Sequence, residues 1–260
     1  MSQIAEIRAF ALPGMPLFGP ETSIADEILA SLDLLGETLR PGDVCVVAQK
    51  IVSKCERRTR DLATVEPDAR ACEIAAATGR DPRVTDLIKA ESSELLRVTP
   101  AAIIARHRTG HVLANAGIDA SNVADGEDER VLLWPLDPDS SARTIRAGIA
   151  DRTGIRPAVV IADSMGRAWR VGTVGHAIGC AGLAVLEDRR GTGRDLFGRT
   201  LQATIVAVAD SVAAAATLAM GEGDEGTPVA IVRGAERWVS ADDGPGAVSG
   251  LRPLEQDMFR

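Results

Sequence analysis

Three acidic stretches hold the residues whose types and spacing could do chemistry. In NAGIDASNVADG, residues 115 to 126, Asp119, Ser121 and Asn122 fall within four positions of one another in a run nearly free of bulky side chains. Such a run cannot hold itself by packing. Its glycine, short polar groups and central carboxylate suit either backbone shaped around a ligand or ion, or an ordinary polar turn. In PAVVIADS an apolar strand empties into Asp163 and Ser164, a position that fits a metal ligand and equally a cap of the next turn. In MGEGDEGT, residues 220 to 227, Glu222, Asp224 and Glu225 lie on a glycine loop that could bind a cation or simply be solvated.

Hard divalent cations take oxygen ligands, and Mg2+ typically combines one or two carboxylates with phosphate oxygens. Asp119, Asp163 and Glu222, on three separate strand ends or loops, therefore suit a site for metal and nucleotide together. Lys50, Lys54, Arg167 and Arg170 could neutralise phosphates or a substrate carboxylate, although Lys50 and Lys54 also fit solvated surface charge. No Gly-Lys pair occurs, which excludes a Walker A loop. No GxSxG elbow occurs, and none of His107, His111 and His176 has a paired nucleophile, so a hydrolase triad is unsupported. His176, between glycine-rich apolar segments, reads as a packed, hydrogen-bonded histidine.

The elements that must position these groups follow from pattern and punctuation. Residues 4 to 12 read as a strand leading into the stiff loop LPGMPLFGPET. Ser23, three before Asp26, caps a helix with Ile24, Ile28, Leu32 and Leu35 on one face. A strand buried on both faces is expected from Asp43 to about Val52, carrying Gln49, Lys50 and, just beyond, Lys54 to the carboxyl edge of an open sheet, where ligands bind. Pro67 and Gly79 bracket a helix, and Pro82 opens another expected to reach about Arg97. AAIIARH is a strand that turns at Thr109 and Gly110 and returns through Val112 and Leu113. VLLWPL is a short strand. A helix begun by Asp137 or Asp139 is closed by Gly154, and the following strand ends at Asp163. Residues 174 to 186 suggest close backbone packing. DRRGTGRDLFGRT reads as a hairpin tip rather than a phosphate loop, since Gly191 and Gly193 do not follow a strand and open a helix. The strand LQATIVAVAD and an alanine-rich helix stopped by Gly221 come next, then a strand to Val232 and Arg233. The tail from Ala241 to Arg260 reads as loosely ordered.

Composition sets the class. The chain has 260 residues, 45% hydrophobic but only 3% aromatic with no Tyr, so its core must be built from Ala, Val, Ile and Leu. Small side chains suit close packing in an α/β (mixed α+β) chain. The net charge of -8 argues against a nucleic-acid or anionic-membrane surface, and a polyphosphate would need cations between it and the carboxylates. Cys45, Cys55, Cys72 and Cys180 are scattered, without zinc spacing, as in a reduced cytoplasmic protein. There is no signal-peptide pattern and no apolar run long enough to span a bilayer. No repeat or clear linker divides the chain, so a second domain would be intertwined with the first.

The pieces GDVCVVAQKIVSKCE, NAGIDASNV, IADSMGRAWRVGTVGHAIG, DLFGR and MGEGDEG occur in the order and approximate spacing of the coenzyme F420-0:L-glutamate ligase family. The resemblance covers residues 4 to about 235. It implies an F420 ligase-like fold with two intertwined subdomains and mixed sheets in a domain spanning residues 1 to 240, followed by a tail, and a GTP-dependent enzyme that adds γ-linked glutamates to a deazaflavin coenzyme. It implies that Asp119 and Asp163 hold one divalent metal, and that Ser164 and Glu222 hold a second. GTP would be surrounded by Met15, Pro16, Leu17, Phe18, Gln49, Lys50, Lys54, Asn122 and the loop Met220, Gly221, Glu222, Gly223, Asp224, Glu225, Gly226 and Thr227. Asp119, Asp163 and Arg167 would be catalytic. The implied cations are two Mg2+ or Mn2+ per subunit with K+ as a further candidate, and the implied partners are GTP, L-glutamate, the coenzyme precursor and a second copy of the chain. Gln49 and Lys50 stand where some relatives have two hydroxyl residues, and Met165 and Ala168 vary a segment that often has Phe or Asn, then Pro. Some relatives carry a nitroreductase-like flavin domain after the ligase region; the end at Arg260 implies the ligase module alone. The alternative reading is a metal-dependent phosphohydrolase or a GTP-binding regulator using the same site.

Overall fold

The architecture follows from a strand pattern that alternates between two apolar faces. In the computed structural model, which describes residues 6 to 121, 123 and 129 to 257, the elements in chain order are β1 (Arg8–Ala11), α1 (Ile24–Leu34), β2 (Val44–Ala48), α2 (Gln49–Cys55), β3 (Thr59–Asp61), α3 (Ala69–Thr78), α4 (Pro82–Ala90), β4 (Ser92–Val98), β5 (Ile103–His107), β6 (Val112–Ala114), β7 (Arg130–Leu132), α5 (Pro138–Thr153), β8 (Ala158–Arg167), β9 (Arg170–Ala181), β10 (Leu186–Asp188), β11 (Ile205–Ala207), α6 (Val208–Met220) and β12 (Val229–Arg233). The main sheet has the order β1-β12-β2-β8-β9, with β2 and β8 parallel and the other neighbours antiparallel. The chain is thus mixed α/β, with a mixed main sheet and, among the described residues, three smaller antiparallel sheets, β3-β7, β4-β5-β6 and β10-β11.

Successive side chains of a strand point to opposite faces. Cys45, Val47, Val159, Ile161, Val229 and Ile231 join one core with Ile24, Ile28 and Leu32 of α1 and Ala142, Ile145 and Ile149 of α5. Val44, Val46, Val160, Ala230 and Val232 join the other with Val208, Val212, Ala213 and Ala216 of α6. The small residues foreseen in 174 to 186 are needed here: a Cβ on Gly179 of β9 would lie 2.4 Å from the Pro138 carbonyl oxygen at the start of α5.

The helices begin and end where their caps dictate. The side chains of Ser23, Asp68, Asp81 and Asp137 accept from backbone amides in the first turns of α1, α3, α4 and α5, and Gly79 and Gly154 close α3 and α5 in the left-handed region. Each side-chain cap contributes about 1 kcal/mol.

Four elements differ from the sequence reading. The strand expected to reach about Val52 stops at Ala48, and Gln49, Lys50 and Lys54 lie on the short helix α2, whose Gln49 amide donates to Ser53 Oγ at 2.6 Å one turn on. The helix expected to reach Arg97 ends at Ala90, because Ser92–Val98 pairs with β5 in an antiparallel ladder that local periodicity does not reveal. β8 runs past Asp163 to Arg167 and turns directly into β9. As far as Asp257 the tail is not loose: Ala247 is buried and donates its amide to Asp139 Oδ1, and Asp243 pairs with the fully buried Arg146.

Topology brings distant segments to one edge. Parallel neighbours require a crossover, and between β2 and β8 it consists of residues 49 to 157, which hold α2 to α4, the sheet β4-β5-β6 and α5. Register pairs Ala48 with Ala162, so the residues that follow, Gln49 and Lys50 on one side and Asp163 and Ser164 on the other, emerge together. β12 is antiparallel to both β1 and β2, so the loop before it (221 to 228) and the loop after β1 reach the same edge; the Ala48 amide donates to the Pro228 carbonyl and the Leu12 amide to that of Val229.

Candidate active site

At that edge the polar residues form two neighbouring sets of contacts. Lys50 Nζ, on the first turn of α2, lies 2.8 Å from Asp119 Oδ2 and 2.5 Å from Ser121 Oγ. The Ser121 hydroxyl and amide in turn donate to the two Asp119 oxygens at 2.9 and 2.8 Å. Asp119 is held by backbone: its amide donates to the Leu132 carbonyl and its carbonyl accepts from the Leu132 amide. Burial pushes the Asp119 carboxyl up, but Lys50 and the Ser121 donors outweigh it, and its pKa is lowered.

Asp163 has the opposite balance. Its Oδ2 accepts from Trp134 Nε1 at 2.8 Å and its Oδ1 from the Ser164 amide at 2.9 Å. Burial dominates over those bonds, the negative charge of Asp119 adds to it, and the pKa rises to about 6. The Ser164 hydroxyl, on the other face of β8, donates to Glu222 Oε1 at 2.5 Å. Lys50, Asp119, Asp163, Ser164 and Glu222, drawn from four separated segments, are thereby brought together.

The remaining foreseen residues are placed as follows. Lys54, one turn after Lys50, is half-buried and has no hydrogen-bond or ion-pair partner among the described residues; burial, then the charge of Lys50, lowers its pKa. Gln49 is buried against Ser53, Phe18 packs into the core and Met15 lies against it, while Pro16 and Leu17 are exposed in the loop after β1. Met220 is core. Glu225 turns back to accept from the Gly223 amide, Thr227 donates its hydroxyl to the Met220 carbonyl, and Asp224 is exposed, so Glu222 is the acid of this loop that reaches the strands. Arg167, four residues beyond Asp163 on β8, donates to the Val171 carbonyl within the β8-β9 hairpin. Asn122 lies outside the described residues.

Trp134 was missed. VLLWPL carries a signal in retrospect, because a buried indole needs a partner for its N–H. Around it His107 and His111 stand with ring centroids at 5.0 and 5.5 Å, and the Thr109 hydroxyl lies 2.9 Å from Nδ1 of each. His176, whose Nδ1 lies 2.8 Å from the Val174 carbonyl oxygen, shares a pocket of about 210 Å3 with His111, Met165 and Leu251.

His111 gives a test of this packing. Burial, and then the charges of His107 and His176, lower its pKa to about 4. A histidine harder to protonate folded than unfolded costs stability as pH falls from about 6.5 towards 4. Between pH 7 and pH 5 this amounts to about 2 kcal/mol. In the metal-free protein Asp163, raised from 3.8 to about 6, acts with the opposite sign over that range. The His111 contribution is therefore read as the difference between urea unfolding curves of the wild type and His111→Gln at the two pH values. Equal pH dependence of the two proteins would contradict a neutral buried His111.

The donor set is all hard oxygen, carboxylate and hydroxyl, which fits Mg2+ or Mn2+ rather than a soft metal. Among the described residues no three His, Cys, Asp or Glu side chains already surround one point. The carboxylates instead lie along the strand edge, with Asp119 paired to Lys50 and with Ser164 bridging Asp163 and Glu222. Comparison with known proteins decides the kinship. The profile of the family F420-0:Gamma-glutamyl ligase matches residues 14–234. The chain belongs to that family. A Coenzyme F420:L-glutamate ligase of Methanothermobacter thermautotrophicus is 46% identical over 98% of this chain and 99% of its own length. Proteins of that name from Methanopyrus kandleri and Methanocaldococcus jannaschii are 43% and 41% identical, over 89% and 95% of this chain and 91% and 94% of theirs. The likeness read from NAGIDASNV and IADSMGR is thus borne out at the level of the F420 ligase family. Among the described residues no helix is long and apolar enough to cross a membrane.

Proposed function

We propose that this F420 ligase family member is a GTP-dependent, GDP-forming ligase that joins L-glutamate through γ-glutamyl amide bonds to the coenzyme F420 precursor. The observation that carries the reading is the 46% identity, over nearly the whole of both chains, to a protein named for that substrate pair. The edge of the main sheet supports it, since it offers carboxylates for cations and lysines for phosphates side by side.

In this reading the terminal carboxylate of the precursor attacks the γ-phosphorus of GTP, forming an acyl phosphate and releasing GDP. The amine of glutamate then attacks the acyl carbon, phosphate leaves, and the amine gives up a proton. Asp119 with Asp163, and Ser164 with Glu222, would hold Mg2+ or Mn2+, with K+ a further candidate. When bound, such cations neutralise charge that accumulates on the transferred phosphoryl group. Lys50 and Lys54 supply positive charge next to them, Arg167 is a further cation for phosphate or carboxylate, and the loops 15 to 18 and 220 to 227 border the nucleotide. No covalent protein nucleophile is required.

The enzyme works in the cytoplasm as a homodimer in this reading. Trp169 and Val171 on the β8-β9 hairpin, and Leu196 and Phe197 on the arm between β10 and β11, are 87 to 100% exposed and offer apolar surface that a second copy would cover. The deciding experiment incubates the protein with GTP, Mg2+ or Mn2+, L-glutamate and the deglutamylated coenzyme, and weighs the products by mass spectrometry. Masses higher by whole glutamyl units are expected. GTP consumed without precursor and glutamate, and with no glutamylated product, would instead establish a phosphohydrolase.

A further inference from the structure

We propose that Trp134 is a positioning residue, whose indole N–H fixes the orientation of the Asp163 carboxylate and so sets its affinity for a divalent cation. This rests on the reading that Asp119 and Asp163 hold that cation. Asp163 receives two donors, Trp134 Nε1 at Oδ2 and the Ser164 amide at Oδ1, at 2.8 and 2.9 Å. One donor on each oxygen fixes the carboxylate plane and leaves each oxygen a lone pair for a cation. Groups that orient a metal ligand in this way govern affinity without touching the metal.

The indole is itself held on every side. Trp134 is fully buried, with His107 and His111 against its rings and Thr109 bridging the two imidazoles. Beneath it passes a backbone run with φ of 53°, 51° and 72° at Asn115, Ala116 and Gly117, left-handed at three consecutive residues. A Cβ on Gly117 would lie 2.2 Å from Trp134 Nε1, so only glycine lets the indole reach Asp163. Sustained left-handed backbone at non-glycine residues persists only where the surroundings over-determine it, and such strain gathers at functional sites.

Two further links tie this latch to the other carboxylate. Asp119 follows Gly117 by two residues, Leu132 precedes Trp134 by two, and Asp119 and Leu132 exchange both backbone hydrogen bonds. The segments that carry Asp119 and Trp134 are therefore tied together, and the indole N–H links their placement to Asp163 on β8. Packing alone does not require that N–H, since a phenylalanine would fill much of the same space.

The test measures Mn2+ binding by electron paramagnetic resonance, without substrates, in the wild type, Trp134→Phe and Asp163→Asn. Trp134→Phe is expected to remain folded by circular dichroism, to bind Mn2+ about 10- to 100-fold more weakly, and to raise the Mn2+ concentration needed for half-maximal turnover by a similar factor. Wild-type Mn2+ affinity in Trp134→Phe overturns the assignment while leaving the metal site standing. Absence of Mn2+ binding in the wild type overturns the metal site and the assignment with it. Should Trp134→Phe fail to fold, 15N-tryptophan labelling of the wild type decides, with Trp169→Phe and Trp238→Phe assigning the other two indoles. The Trp134 Nε1–H resonance is then expected to resist solvent exchange and to shift when Mg2+ is added, and an unshifted resonance overturns the role.

Discussion

Replacing Asp163 by Asn is expected to lower kcat/KM for glutamate addition by more than about 100-fold, beyond what loss of a residue that merely orients a metal ligand costs, while leaving the fold intact. Asp163 accepts at both oxygens, from Trp134 and from the Ser164 amide. An asparagine turns its NH2 towards one of those donors, and the lost bond costs about 1 to 2 kcal/mol. Against this, the substitution removes a buried charge that burial and Asp119 already disfavour. The two changes offset one another, so the melting temperature of the metal-free variant should stay close to that of the wild type. Adding Mn2+ separates the proteins: a ligand that binds only the folded state raises its stability by mass action. The wild type should gain thermal stability with Mn2+ concentration in calorimetry, and Asp163→Asn should gain far less. Wild-type turnover in the variant would remove Asp163 from the catalytic machinery.

How far the site is legible in the sequence depends on the range of the interaction that makes it. The caps at Ser23, Asp137 and Gly154 act within a few residues, and the continuous apolar run VCVVA marks a strand buried on both faces, so both can be read directly. Asp119 and Asp163 could be picked out as candidates, but an ordinary turn and a cap fit them equally well, and the family likeness is what favours the site. Their convergence could not be derived without the kinship, since it depends on β2 and β8 being neighbours across a crossover of more than a hundred residues. The stretch as far as about Arg97 reads as helix, because the ladder of Ser92–Val98 with β5 has no local signature. Trp134 was passed over for a related reason: the glycine beneath it is 17 positions earlier and the carboxylate it serves is 29 positions later. Glycine in NAGID was expected to let backbone approach a metal or phosphate, and at Gly117 the group that approaches is an indole.

The C-terminal segment shows the same limit, and it carries the largest expected effect on stability. Arg146, fully buried on α5, donates Nε to the Pro157 carbonyl at 2.7 Å and Nη1 to the Ala241 carbonyl at 3.2 Å, with Asp243 Oδ1 at 2.5 Å and the Ser240 carbonyl also in contact. One planar guanidinium thus meets four acceptors, three of them in residues 240 to 243, and fastens the tail to the core. Arg146→Met keeps much of the volume and removes every donor. Loss of one partner from a buried charged network costs about 3 to 5 kcal/mol, which for a chain of this length lowers the melting temperature by roughly 10 °C. Arg146→Lys should recover only part of it, because an ammonium on a flexible stem cannot reproduce the fixed fork. Ala247, Gly250 and Leu251 of the tail line the pocket that also holds His176, Met165 and Gly166, on the strands carrying the site. Loosening the tail should therefore expose residues 240 to 257 to limited proteolysis before the main sheet opens. Cleavage there at the wild-type rate in Arg146→Met would show that the contact between Ala247 and Asp139 suffices to hold the tail without the guanidinium.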